Sequence, residues 1–175
     1  TEIYTLSLHD ALPIFAANLP VPARRPPVTP LASAPIAGAG LVIGREQELE
    51  ALSGLLVNPA CRLLTITGPG GVGKTRLINE LVRRERLAGK ELAYVSLESA
   101  EDSSELPWLI AAALGRHLQH DGSVSELVQR LGAHPYCVVL DNFEHLLPAG
   151  ALLVGELLAS APGLRLIVTT RAVLG

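Results

Sequence analysis

From Arg62 onward the chain alternates between two hydrophobic periods. Short, nearly continuous apolar runs occur at 62–67 (RLLTIT), 91–97 (ELAYVSL), 136–140 (YCVVL) and 164–169 (LRLIVT). Strands apolar on both faces belong in the middle of a parallel sheet, covered on each side. Between them the spacing turns helical. Leu77, Ile78, Leu81 and Val82 share one face, and Gly89 suits the position just past that helix. Arg83, Arg84 and Arg86 fall near its end, where cations oppose the helix dipole favourably. Ser103 or Ser104 is expected to cap the next helix, which has Pro107 in its first turn and continues through Leu109, Ile110, Ala113 and Leu114. Ser123 and Glu126 form a capping box for a short helix that Gly132 stops. A leucine-rich helix from Pro148 ends at Pro162-Gly163, and an earlier one carries Leu49, Leu52 and Leu56 on one face until Asn58-Pro59. Alternating strands and helices predict a parallel sheet with right-handed crossovers, an α/β fold in three layers.

The N-terminal part does not share this pattern. Phe15 to Gly40 is rich in proline and alanine, which stops both helix and sheet from propagating, so 15–40 reads as an extended linker. Thr1 to Ile14 (TEIYTLSLHDALPI) resembles the translation of a sequencing-library adapter, so 1–14 is expected to be an adapter-derived artefact outside the fold. The domain proper is then expected over 41–175.

Composition narrows the chemistry. With 49% hydrophobic and only 3% aromatic residues among 175, the core must be aliphatic. A net charge of −3 provides no global basic field for nucleic acid. Cys61 and Cys137 are far apart and each adjoins an apolar run, which fits reduced thiols in a cytoplasmic protein. Every apolar run is interrupted well short of a membrane span, so no membrane partner is expected. His117 and His120 lack a carboxylate or cysteine at a completing spacing, so no metal site is read there.

The stretch that carries chemistry is Leu63 to Leu77, LLTITGPGGVGKTRL. Gly68-Pro69-Gly70-Gly71-Val72-Gly73-Lys74-Thr75 fits the P-loop pattern between a strand and a helix. Glycines let successive N–H groups curl around phosphate oxygens, and the helix N-terminus adds its positive end. Lys74 is expected to reach the β- and γ-phosphates and Thr75 to ligate Mg²⁺, with Arg76 completing the phosphate-binding set. In such sheets ligands sit at the carboxyl ends of the strands. Asp141, at the end of the apolar run Cys137 to Leu140, occupies the Walker B position and would join the Mg²⁺ shell. Thr169-Thr170-Arg171 ends the last strand at the same edge, where Arg171 would sense the γ-phosphate.

These motifs together resemble the nucleotide-binding domain of STAND-class signal-transduction ATPases, related to NB-ARC and AAA+ modules. The likeness extends to bacterial LuxR-type and SARP/AfsR-type transcriptional regulators. The residues that carry it are Leu41-Val42-Ile43-Gly44-Arg45-Glu46, Thr67 to Thr75, Leu140 to His145 and Val168 to Arg171. The resemblance implies a P-loop NTPase fold, truncated after the fourth core strand, that binds ATP or ADP with Mg²⁺. It also implies an adenine contact through the backbone near Ile43, Gly44 and Arg45. Winged-helix and repeat domains would follow in the full protein, DNA would be reached only through another domain, and ATP-dependent self-association would be open to it.

The chain departs from that family where many members carry a second acid directly after the Walker B aspartate. Asn142 stands there and cannot act as a base, so Glu144 is the candidate substitute and slow hydrolysis is expected. The catalytic candidates are therefore Lys74, Asp141, Glu144 and Arg171. Two other function classes remain open from the sequence: an AAA+-type ATPase turning over on nucleic acid or protein, and a nucleotide-free scaffold for protein contacts.

Overall fold

The structure is a computed structural model that describes residues 2–7, 44–87 and 92–171. The expected linker, Ile43 and the expected helix end at Gly89 lie outside the described residues. Five strands form one sheet in the order β1-β2-β5-β4-β3: β1 Glu2–Ser7, β2 Cys61–Thr67, β3 Leu92–Ser96, β4 Tyr136–Asp141 and β5 Leu164–Thr170. All four pairings are parallel. The four core strands are those the apolar runs predict.

The fifth is a difference. Glu2–Ser7 was expected to stand outside the fold, yet its backbone pairs with β2 from Glu2↔Cys61 to Ser7↔Thr67, with one register shift after Glu2. Central strands leave a row of N–H and C=O groups on each side, and this segment takes up the row that β5 does not.

Helices cover both faces. On one, α1 (Glu46–Val57) and α2 (Lys74–Leu87) bury Leu49, Leu52, Leu77, Ile78, Leu81 and Val82 against Leu64, Ile66, Val139 and Ile167. On the other, α3 (Leu106–Ala113), α4 (Val124–Leu131) and α5 (Ala149–Ser160) close over Leu63, Val138, Leu140, Leu166 and Val168. Each fully buried leucine or isoleucine contributes about 1.5–3 kcal/mol. These two aliphatic layers hold the sheet edge in place.

Helix ends show which polar groups work locally. Asp102, not Ser103 or Ser104, caps the turn that leads into α3. Its carboxylate accepts the Ser104 N–H at 2.7 Å, while Glu105 returns to the N–H groups of Glu101 and Asp102. Asp102 has the extended backbone of a cap (φ −141°, ψ 151°), whereas Ser103 and Ser104 already lie inside the turn. The C-terminal carbonyls of α5 are held by a side chain distant in sequence. Arg62 donates to Leu158 O at 2.7 Å and to Ala161 O and Leu164 O beyond it, placing a cation where the helix dipole favours one.

Ser123 accepts the Glu126 N–H at 3.2 Å, but the expected capping box does not close, because the Ser123 N–H goes to Asp121 Oδ1 at 2.9 Å. The Glu126 carboxylate itself accepts the N–H groups of Gln119, His120 and Gly122. The Gln119 bond is the largest cause holding its pKa below the usual glutamate value. Glu80 on α2 is held down to about 2, chiefly by the hydrogen bond from Arg83, with Arg84 adding to it.

Both carboxylates have lower pKa values folded than unfolded. Their contribution is therefore present above the unfolded glutamate value and is lost as pH falls through the folded one. The urea midpoint is expected to hold from about pH 7 to about pH 5 and to drop below about pH 4.3. Glu126→Gln flattens part of that drop. A midpoint that falls identically in the variant contradicts the assignment.

Candidate functional site

β2 delivers the chain to Gly68, and α2 begins at Lys74. Between them Gly71 and Gly73 adopt φ of +78° and +89°. A Cβ at either would meet nothing within 4 Å, so the backbone conformation demands glycine there, rather than lack of room. Lys74 is buried, and its ammonium donates to the carbonyls of Gly68 at 2.7 Å and Pro69 at 3.1 Å. The first intrahelical bond of the loop–helix junction runs from Leu77 N–H to Gly73 O. That leaves the amides at the start of α2 to point out of the helix end.

This loop forms the wall of a cavity of about 570 Å³. Gly70, Gly71, Gly73, Lys74, Thr75 and Arg76 line one side, and Asn79, Asn142 and Arg171 complete it. Three cations line the space, and among the described residues no carboxylate does. With the positive end of α2, that charge distribution selects an anion.

The structure brings Arg171 to the P-loop, as the sheet-edge argument predicts. Its guanidinium lies 3.5 Å from where a Gly70 Cβ would stand. Its Nε is paired with Glu144 Oε1 at 2.7 Å, and Glu144 Oε2 is buried with no hydrogen-bond partner. Local folding explains why Glu144 gets there. Asn142 takes the left-handed conformation (φ 63°, ψ 49°) directly after β4, and Phe143 is fully buried. A Cβ on Gly150 of α5 would come within 2.8 Å of that ring, so the glycine leaves Phe143 its space. The anchored phenylalanine leaves Glu144 free to meet Arg171.

Asp141 is placed differently from the simple expectation. It is 1% exposed and does not line the cavity, whereas its neighbour Asn142 does. One carboxylate oxygen accepts the Tyr94 hydroxyl at 2.7 Å, and the other accepts the Thr169 hydroxyl. The Thr169 oxygen in turn accepts the Asn142 N–H at 3.0 Å. Tyr94 is a residue the sequence reading passed over. Burial first, then the hydrogen bond and charge of Asp141, push its phenol pKa well above the usual tyrosine value. Its signal is faint: an amphipathic aromatic two residues before the end of an apolar strand.

Gly44 and Arg45 stand at the start of α1. Arg45 donates from Nη2 to the carbonyl of Val72 at 2.7 Å, and its Nη1 is buried without a partner. The lead-in motif therefore touches the P-loop through a side chain. The expected adenine contact by the backbone of Ile43 falls partly outside the described residues.

The donor set suits Mg²⁺ with a triphosphate. Hard oxygen ligands are available from the Thr75 hydroxyl at the cavity and the Asp141 carboxylate behind it. A carboxylate with about four lone-pair sites keeps some after accepting two hydroxyls. Among the described residues, no helix is long and apolar enough to cross a membrane.

Known proteins share parts of this sequence and this fold. A protein of Mycobacterium bovis named "Putative HTH-type transcriptional regulator" is 38% identical over 115 residues, covering 65% of this chain but only 13% of that protein. An uncharacterised protein of Mycobacterium tuberculosis is 32% identical over 137 residues, 76% of this chain and 34% of its own length. The chain thus spans a small part of these relatives. Among solved structures, Cdc6p from Pyrobaculum aerophilum superposes with a TM-score of 0.60 at 22% identity, over 75% of this chain and 40% of that one. The Aeropyrum pernix ORC2 protein gives 0.58 at 22% identity, over 76% and 42%. Both share the fold. The model of the AAA ATPase domain matches residues 41–169, which include the P-loop, Asp141 and the strand leading to Arg171, and the chain belongs to that family.

Proposed function

We propose that this chain is a Mg²⁺-ATP/ADP-binding switch module of the STAND class, drawn from a larger regulator of the LuxR or SARP/AfsR type. The observation that carries the reading is the cation-lined cavity where the P-loop, Asn142 and Arg171 meet. Lys74 would release the Gly68 and Pro69 carbonyls to hold phosphate. Thr75 and, through water, Asp141 would hold Mg²⁺, which when bound neutralises charge on the β- and γ-phosphates.

Hydrolysis is slow in this reading. Asn142 has no basic group to offer an attacking water, and Glu144, the remaining acid, is paired to Arg171. A γ-phosphate that draws Arg171 away would free Glu144, so the two nucleotide states differ in what holds this arginine. That difference is what a switch needs. The name of the Mycobacterium bovis relative supports a regulatory setting, with DNA contacted by a domain elsewhere in the full protein. The ATPase acts in the cytoplasm, and self-association on ATP binding would follow from the class.

Lys74→Ala is expected to abolish ATP and ADP binding in isothermal titration, and unchanged binding in that variant refutes the assignment. Arg171→Ala is expected to weaken ATP about tenfold, the value of one charge-assisted hydrogen bond, while ADP affinity stays put. Equal losses for both nucleotides would sink the γ-phosphate role. Steady-state hydrolysis is expected to stay below about one turnover per minute, far under the common enzyme range. Fast turnover stimulated by DNA or a protein would favour an AAA+ motor instead.

A further inference from the structure

We propose that Tyr94 is a positioning residue for the metal-binding carboxylate, fixing Asp141 so that it can serve Mg²⁺ through its remaining lone pairs. This rests on the reading of Asp141 as part of the Mg²⁺ shell.

The sheet register sets up the contact. Ser96 pairs with Asp141 and Tyr94 with Val139, so Tyr94 and Asp141 share one face of neighbouring strands. A tyrosine two residues back is long enough for its hydroxyl to come level with the carboxylate, which it meets at 2.7 Å. Thr169 approaches from the other side, on β5, and donates to the second oxygen. The two hydroxyls pin the carboxylate plane from opposite neighbours. Only a fixed plane presents the same lone pairs to a metal-bound water each time. Groups that hydrogen-bond a metal-binding side chain from behind are commonly worth about 10–100-fold in metal affinity.

The hydroxyl's task is separable from that of its ring. The ring packs against the aliphatic cluster that α1 and α2 form with the sheet, and that packing survives in phenylalanine. The hydroxyl is aimed inward at a side chain that is 1% exposed.

The test uses Tyr94→Phe in the 175-residue chain. ADP is titrated calorimetrically in EDTA and across a Mg²⁺ series, with thermal melting of the apo protein alongside. The expected result is wild-type ADP affinity in EDTA, with about tenfold more Mg²⁺ needed for half of the metal-dependent gain. Asp141→Asn is measured in parallel and should flatten the Mg²⁺ response. A Mg²⁺ profile for Tyr94→Phe that overlays the wild type, with Asp141→Asn flat, overturns the role of Tyr94 and leaves the metal reading standing. Retained Mg²⁺ response in Asp141→Asn overturns both. Equal loss of ADP affinity with and without metal would make Tyr94 structural and overturn the proposal too. Should Tyr94→Phe fail to melt cooperatively, Thr169→Val removes the opposite donor and must give the same Mg²⁺-selective shift.

Discussion

A carboxylate enclosed by an aliphatic sheet must find donors or give up its charge, and that requirement governs the working edge of this protein. Asp141 ends β4 with its side chain almost wholly out of solvent, held by one hydroxyl from each flanking strand. Meeting the requirement ties β3, β4 and β5 together at their carboxyl ends. The same network reaches Asn142 through its N–H to Thr169, and so fixes the turn from which Phe143 and Glu144 depart. Arg171, two residues beyond Thr169, is carried to the P-loop by the strand that this network locks.

The charge pattern around the cavity follows from that arrangement. Asp141 is withdrawn behind the wall and Glu144 is engaged with Arg171, so the groups that face the phosphate space are cations and amides. The P-loop supplies its share through backbone shape, with two left-handed glycines and a lysine that braces the loop's own carbonyls. An anion entering here would compete with the Gly68 and Pro69 carbonyls for the Lys74 ammonium.

Much of this was legible in the sequence, because the informative features are local. A strand, a glycine loop and a lysine-led helix sit within fifteen consecutive residues, and four apolar runs of the right length name the core strands. What was not legible depends on partners far apart along the chain. Tyr94 and Asp141 are 47 residues apart, and only the parallel register puts them on one face. Arg62 caps a helix that ends near residue 160, and no local pattern in RLLTIT announces a second duty for its first residue. Asp102 displaced the expected serine caps because the turn begins at Ser103, one residue earlier than a serine cap requires. Arg45 reached the P-loop with its side chain where a backbone role was expected of it.

The pairing of β1 with β2 has a mechanical meaning. The P-loop hangs from the end of β2, which lies one place in from the sheet's rim, with β5 inside it and Glu2–Ser7 outside. A rim strand frays more readily than an interior one, since half its ladder faces solvent. Whatever lies outside β2 therefore sets how firmly the phosphate loop is mounted. The strand from which the anion cradle hangs is thus backed on its outer side by the six-residue backbone ladder of Glu2–Ser7.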